Sequence, residues 1–262
     1  MRSSDGLLSN EVTRYRATIA YDGTGYHGFQ RQAPEHEPTI QGEIERALAQ
    51  IGQPGTTVLG SGRTDAGVHA TGQVIAFSAE WRHSPKDLQR ALNAVLPADI
   101  VVLDLDEAAF SFHPRYDAVS REYVYTIYNA PVRHPLYRLN ALHVAEPLDV
   151  EAMDAAAADL IGEHDFAAFG LPTSGEVTVR RMLKAKCFAA LPLVHLELEA
   201  NGFLYRMVRS IVGTLLRVGR GEMTREQFRA VIESCDRSRA GAPVPPQGLC
   251  LTRVNYRVPS SP

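Results

Sequence analysis

SPKDLQRALNAVLPADIVVLDL, residues 84–105, decides the fold of the first half of the chain. Ser84 is an N-cap residue, Pro85 occupies the first helical position, where its missing N–H is no loss, and Asp87 puts a carboxylate at the third. The spacing predicts a helix burying Leu88, Leu92 and Val95, then a strand at 100–105. Upstream, 14–20 (RYRATIA) reads as a strand, and 40–51 as a helix capped by Thr39 with Ile40, Ile44, Leu48 and Ile51 on one face. Strands follow near 56–60 and 73–78. The order βαββαβ is the split-βαβ, ferredoxin-like unit, and it closes near residue 106.

The second half repeats the order. A strand at 120–129 precedes an Ala-rich helix at 150–161 closed by Gly162; strands at 180–190 and 193–200 precede helices at 203–217 and 224–234, and a strand at 249–256 ends the unit. Thr224-x-x-Gln227 forms a capping box. In 193–200, Val194, Leu196, Leu198 and Ala200 alternate with His195, Glu197 and Glu199, so one sheet face is wet or used. The fold class expected is therefore α/β (α+β): two ferredoxin-like βαββαβ units, a mainly antiparallel sheet and a central cleft, where ligand sites often fall. The units are placed at 11–108 and 109–258, with flexible tails at 1–10 and 259–262.

Of 262 residues, 27 are Lys or Arg and 30 Asp or Glu, and 45% are apolar. Cys187, Cys235 and Cys250 lie far apart without a C-x-x-C pair, which argues against a zinc site or a disulfide framework and for a reducing cytoplasm. No apolar run approaches the roughly 18 residues of a membrane span, and residues 1–10 lack the apolar core of a signal peptide. Cut at Val177, the chain splits into 13 basic and 24 acidic residues before and 14 basic and 6 acidic after, a net −11 and +8. A basic third in an acidic protein suits a polyanion such as nucleic acid; a solvated basic surface is the bland alternative.

Gly23-Thr-Gly25-Tyr-His-Gly28 matches G-x-G-x-x-G, but no helix opens behind it to meet a pyrophosphate, so no dinucleotide cofactor is expected; a glycine-rich polar turn, or one touching an RNA backbone, is. The nine histidines include no close metal pairing, and no metal is expected. There is no P-loop and no G-x-S-x-G elbow. The dense segment is 60–73, GSGRTDAGVHATGQ, where Asp65 sits on a connection held by strands, as catalytic carboxylates often do. An Asx turn would use it equally well. On 120–129, Arg121, Tyr123, Tyr125 and Ile127 share a face; such tyrosines are core residues by default, or stack on a base at a cleft. Arg206 and Arg209 interrupt the apolar stripe Leu204, Val208, Ile211, Leu215 and Leu216. Surface arginine is the bland reading; an arginine packed there instead needs a carboxylate or phosphate, and Asp65 is a candidate partner.

GSGRTDAGVHATGQ, with YDGTGYHGFQRQ before it and SFHPRYDAVSREYVYTIYN, GEHDFAAF, NGFLYRMVRSIVGTLLRVG and GLCLTRVNY after it, resembles the tRNA pseudouridine synthase A family across about residues 14–257. One departure is Phe29, where the family often has Trp. The resemblance implies a pseudouridine-synthase fold and a cofactor-free isomerase converting uridine to pseudouridine in the anticodon arm of tRNA, at about positions 38–40. It also implies a cytoplasmic homodimer with tRNA lying across both subunits. Residue by residue, Asp65 matches the catalytic aspartate, Arg63 the arginine that helps hold out the target nucleotide, Tyr123 the tyrosine that stacks on the target base, and Arg209 the arginine pairing with the carboxylate. Arg206 is carried with them as substrate-binding. Two other classes compete on the residues: a non-catalytic RNA-binding module, which has no need of the G-R-T-D loop, and a base-excising hydrolase, which usually shows two catalytic carboxylates.

Overall fold

The computed structural model describes residues 12–33, 37–172 and 175–257. The expected tails at 1–10 and 259–262 lie outside these residues. The first unit runs β1 (Thr13–Tyr21), α1 (Ile40–Gln50), β2 (Leu59–Gly60), β3 (His69–Ala79), α2 (Pro85–Val95) and β4 (Ile100–Glu107). The second runs β5 (Ala118–Asn129), β6 (Leu142–Val144), α3 (Val150–Ala157), β7 (Gly162–Asp165), β8 (Val179–Ala190), β9 (Leu193–Ala200), α4 (Met207–Gly219), α5 (Arg225–Ser234) and β10 (Leu249–Tyr256). Among the described residues no helix is long and apolar enough to cross a membrane.

One ten-stranded sheet runs β4-β1-β3-β10-β5-β9-β8-β7, with β2 beside β3 and β6 beside β5. Each half keeps the same strand order. In the first, β4-β1-β3-β2 is antiparallel throughout; in the second, β10-β5-β9-β8 is too. The halves join where β10 pairs with β3 in parallel, Cys250 opposite His69 and Leu251 opposite Ala70. The chain is thus α/β with a mainly antiparallel sheet, as its patterning implies.

Two cores lie along this sheet. Helices α1 and α2 bury Ile40, Ile44, Leu48, Leu88 and Leu92 against Tyr15, Ala17, Ile19 and Tyr21 of β1. In the other core α3, α4 and α5 cover Tyr125 and Ile127 of β5 and Val194, Leu196, Leu198 and Ala200 of β9. Tyr123 packs against both. Three helices start on side-chain caps read from sequence: Thr39 accepts from Gly42 N–H, Ser84 from Asp87 N–H, and Thr224 with Gln227 closes a capping box.

Several boundaries differ from the sequence reading. Val95 is 36% exposed, because α2 ends there and Leu96 already turns away. The strand expected at 56–60 shortens to two residues, and β3 begins at His69 rather than 73, because β10 supplies a partner for its first residues. The helix expected at 150–161 tightens into a 3-10 turn at 158–160 before Gly162 (φ +113). The helix expected at 203–217 begins only at Met207. Residues before it are held extended by a bridge between Tyr205 and Leu171, and Arg206 stands at φ +61, outside the helix. Strands β6 and β7 have no counterpart in the sequence reading.

Candidate active site

The connection between β2 and β3, residues 61–68, is anchored from below. Gln73 is fully buried; its amide oxygen accepts from Ser61 Oγ and its Nε2 donates to the Gly62 carbonyl at 3.0 Å. Thr64 is buried, its hydroxyl 2.8 Å from that of Tyr21, and Asp65 O accepts from Val68 N–H at 3.1 Å. The glycine-rich stretch after β1 forms the floor. Phe29 N–H donates to Thr64 O, and Gly67 N–H to Tyr26 O. Gly28 sits at φ +97, where a Cβ would fall 2.8 Å from Thr64 O, and a Cβ on Gly23 would fall 2.0 Å from Val68 O. The G-x-G-x-x-G match is therefore a turn that the Asp65 loop rests on. Among the described residues the first helix after it is α1, which begins at Ile40.

Asp65 opens into a cleft of about 1110 Å³ lined by both halves of the sheet. Across it, α4 presents Arg209, whose Nη1 lies 3.2 Å from Asp65 Oδ2, with the side chains 13% and 26% exposed. Its Nε donates to Val244 O at 2.6 Å, which fixes the guanidinium plane. Tyr123 lines the same cleft from β5, its ring edge-on to Phe203 at 5.0 Å. Burial pushes its hydroxyl up to about 12, opposed by Arg121 and reinforced by the Asp65 charge. Arg63 and Arg206 also line the cleft. Both are exposed, and neither forms an ion pair with a described residue; Arg206 instead lies 4.9 Å over the Tyr205 ring. All five residues singled out from sequence thus share one cleft, with Arg206 on the loop before α4 rather than within the helix.

Arg121 has a part that the sequence reading does not assign it. Its Nη2 donates to Ser61 O (2.9 Å) and Arg115 O (2.6 Å), its Nη1 to Asn201 O (3.1 Å) and Ala118 O (3.5 Å). One guanidinium thus ties the Asp65 loop, the linker between the two units and the loop after β9. Burial lowers its pKa from the usual arginine range. Among the described residues the cleft is lined by six arginines, at 63, 115, 121, 180, 206 and 209, and by one acidic side chain, Asp65. Three of the six lie in the acidic part of the sequence, so the field for a polyanion is assembled by folding rather than by the basic C-terminal third alone.

A family model described as tRNA pseudouridine synthase matches residues 17–117 and 156–257. The chain belongs to that family. The tRNA pseudouridine synthase A of Methylacidiphilum infernorum is 42% identical over 249 residues, 94% of this chain and 96% of that protein. That of Moorella thermoacetica is 44% identical over 244 residues, 92% and 98%. That of Geotalea uraniireducens is 45% identical over 247 residues, 94% and 100%. Among solved structures, an archaeal box H/ACA sRNP Nop10–Cbf5 complex shares 13% identity over 86% of this chain and 59% of that one. The TM-score is 0.36. Pseudouridine synthases are isomerases, and the cleft around Asp65 in this member of the tRNA pseudouridine synthase family is lined by arginines and aromatic side chains.

Proposed function

We propose that this protein isomerises uridine to pseudouridine in the anticodon arm of tRNA, at about positions 38–40, with Asp65 as its catalytic residue and no cofactor. The observation that carries the reading is the Asp65–Arg209 pair in an arginine-lined cleft with Tyr123 beside it. The reaction is redox-neutral. The N1–C1′ bond breaks, a C5–C1′ bond forms, the C5 proton leaves and N1 takes up a proton, so one carboxylate and a held base suffice. Asp65 either adds covalently to the nucleoside or abstracts a sugar proton to give a glycal-type intermediate.

A uridine inside a stack is out of reach of Asp65, so the base is extruded at a cost of a few kcal/mol. Tyr123 stacks on it, Arg63 helps hold it out, and Arg206 and the remaining arginines meet the backbone phosphates. Arg209 fixes the orientation of the carboxylate. The protein acts as a homodimer with tRNA across both subunits. The test is tritium release from tRNA labelled at uridine C5, with wild type and Asp65→Asn in parallel and free uracil monitored. Release by wild type alone, without uracil, is the expected result. Equal release by Asp65→Asn removes Asp65 from the chemistry, and free uracil points to a base-excising hydrolase.

A further inference from the structure

Two exposed aromatic rings in the cleft wall have no part in the chemistry above. Tyr116, in the linker before β5, is 76% exposed, and Tyr205, in the loop before α4, is 43% exposed; both line the Asp65 cleft and neither belongs to a core. Each ring has a nitrogenous group beside it. The His113 ring lies 4.3 Å from Tyr116 at 34°, with Arg115 Cζ at 5.9 Å, and Arg206 Cζ lies 4.9 Å over Tyr205.

The backbone under both rings is held. His113 N–H donates to Asp117 Oδ2 at 2.8 Å and Asp117 N–H to His113 O at 3.1 Å, closing a tight turn around Tyr116. Tyr205 N–H donates to Leu171 O at 2.8 Å, and the left-handed φ of Arg206 folds its side chain back over the ring. A non-glycine residue is rarely held there unless the surroundings over-determine it, and such positions gather at ligand clamps.

We propose that Tyr116 and Tyr205 are stacking platforms for the RNA nucleotides that flank the target uridine. The proposal rests on the uridine-isomerising reading above. Extruding the target removes a stacking neighbour from the bases on either side of it, and a tyrosine face replaces that neighbour whatever the base. The adjoining arginines supply charge for the phosphates of the same nucleotides, in a cleft whose described lining holds six arginines and one carboxylate. The chemistry favours RNA over a protein partner, because six arginines against one carboxylate among the described lining residues match a run of phosphates, which an ordinary protein surface does not offer.

The test uses the full chain carrying Asp65→Asn, so that tRNA is bound without turnover, and a tRNA transcript with 2-aminopurine next to the target uridine on its 5′ or 3′ side. Tyr116→Ala and Tyr205→Ala should each weaken binding about tenfold and brighten the bound 2-aminopurine on one side, while the Phe variants restore most of the affinity and the quenching. Both rings are exposed, so thermal unfolding should not move. Alanine variants that match the parent in affinity and fluorescence would overturn the proposal, as would Phe variants as weak as the alanine ones. A fall in oligomeric mass would do the same and assign the rings to contact between copies of this chain. Tritium release by the chain with Asp65 intact separates the two readings: release with tyrosine-insensitive binding overturns the platforms alone, and no release overturns both.

Discussion

Arg209 reaches Asp65 from the other half of the molecule: Nη1 stands 3.2 Å from Oδ2, while Nε is spent on Val244 O at 2.6 Å. A side chain on α4 of the second unit therefore orients a carboxylate carried by a loop of the first. The alignment of that carboxylate depends on how the two units seat against each other along β3 and β10.

Asp65→Asn keeps the shape of the loop but removes the charge and the nucleophilic or basic oxygen. Turnover should fall more than about 10⁴-fold, with tRNA affinity changed little. Arg209→Ala leaves Asp65 without its partner; since Asp65 remains 26% exposed, the loss of folding stability should be about 2 kcal/mol, below the roughly 3–5 of a fully buried pair. Its turnover should drop about 100-fold. Denaturant titration beside tritium release separates the two effects, and normal turnover by Arg209→Ala would remove the ion pair from the mechanism.

The parts legible in the sequence are those written locally. Thr39, Ser84 and Thr224 announce their helices through side-chain to backbone bonds a few residues on, and β9 shows its two faces by simple alternation. Long-range geometry is less visible. The early start of β3 at His69 depends on Cys250 and Leu251, and β6 and β7, three and four residues long, are too short to set up a period. Leu204 extends the apolar stripe of α4 because it is buried, although its backbone is not helical. In the site, an arginine on an apolar helix flags Arg209. The same signal, an arginine on the face of Tyr125 and Ile127, is present for Arg121. It points to no partner because the acceptors are backbone carbonyls, which carry no mark in a sequence.

For Tyr123, ring and hydroxyl separate cleanly. Tyr123→Phe keeps the stacking face and should retain turnover within about fivefold, whereas Tyr123→Leu loses stacking worth roughly 1–3 kcal/mol. With the hydroxyl pushed up to about 12, Tyr123 stays neutral in any assay below about pH 11. An alkaline limb in the pH–rate profile should therefore be the same in wild type and Tyr123→Phe. A limb that disappears in the Phe variant would show that the phenol titrates in range.

Arg121→Lys retains the charge but cannot reach four carbonyls on three segments. Hydrogen bonds from a charged donor contribute about 1.5–3 kcal/mol each before relaxation, so a net loss of about 2 kcal/mol in stability is expected. The loss of activity should lie in kcat more than in KM, because the Asp65 loop is what moves. Guanidinium ion added to Arg121→Ala should restore part of kcat. A change confined to KM would instead make Arg121 a direct RNA contact.

The glycines of Gly23-Thr-Gly25-Tyr-His-Gly28 distinguish a supporting turn from a cofactor loop. Gly28→Ala forces a side chain into φ +97 and against Thr64 O, so about 2 kcal/mol of stability should be lost. Turnover should fall with it, because the contact is with the residue before Asp65. Gly25 has ordinary backbone and open space where a Cβ would stand, so Gly25→Ala should stay within about 0.5 kcal/mol of wild type and keep its activity. Thermal unfolding and tritium release on the pair decide the matter. Equal effects at the two positions would mean the turn contacts substrate directly, since only a ligand lying on Gly25 makes that open position sensitive to a methyl group.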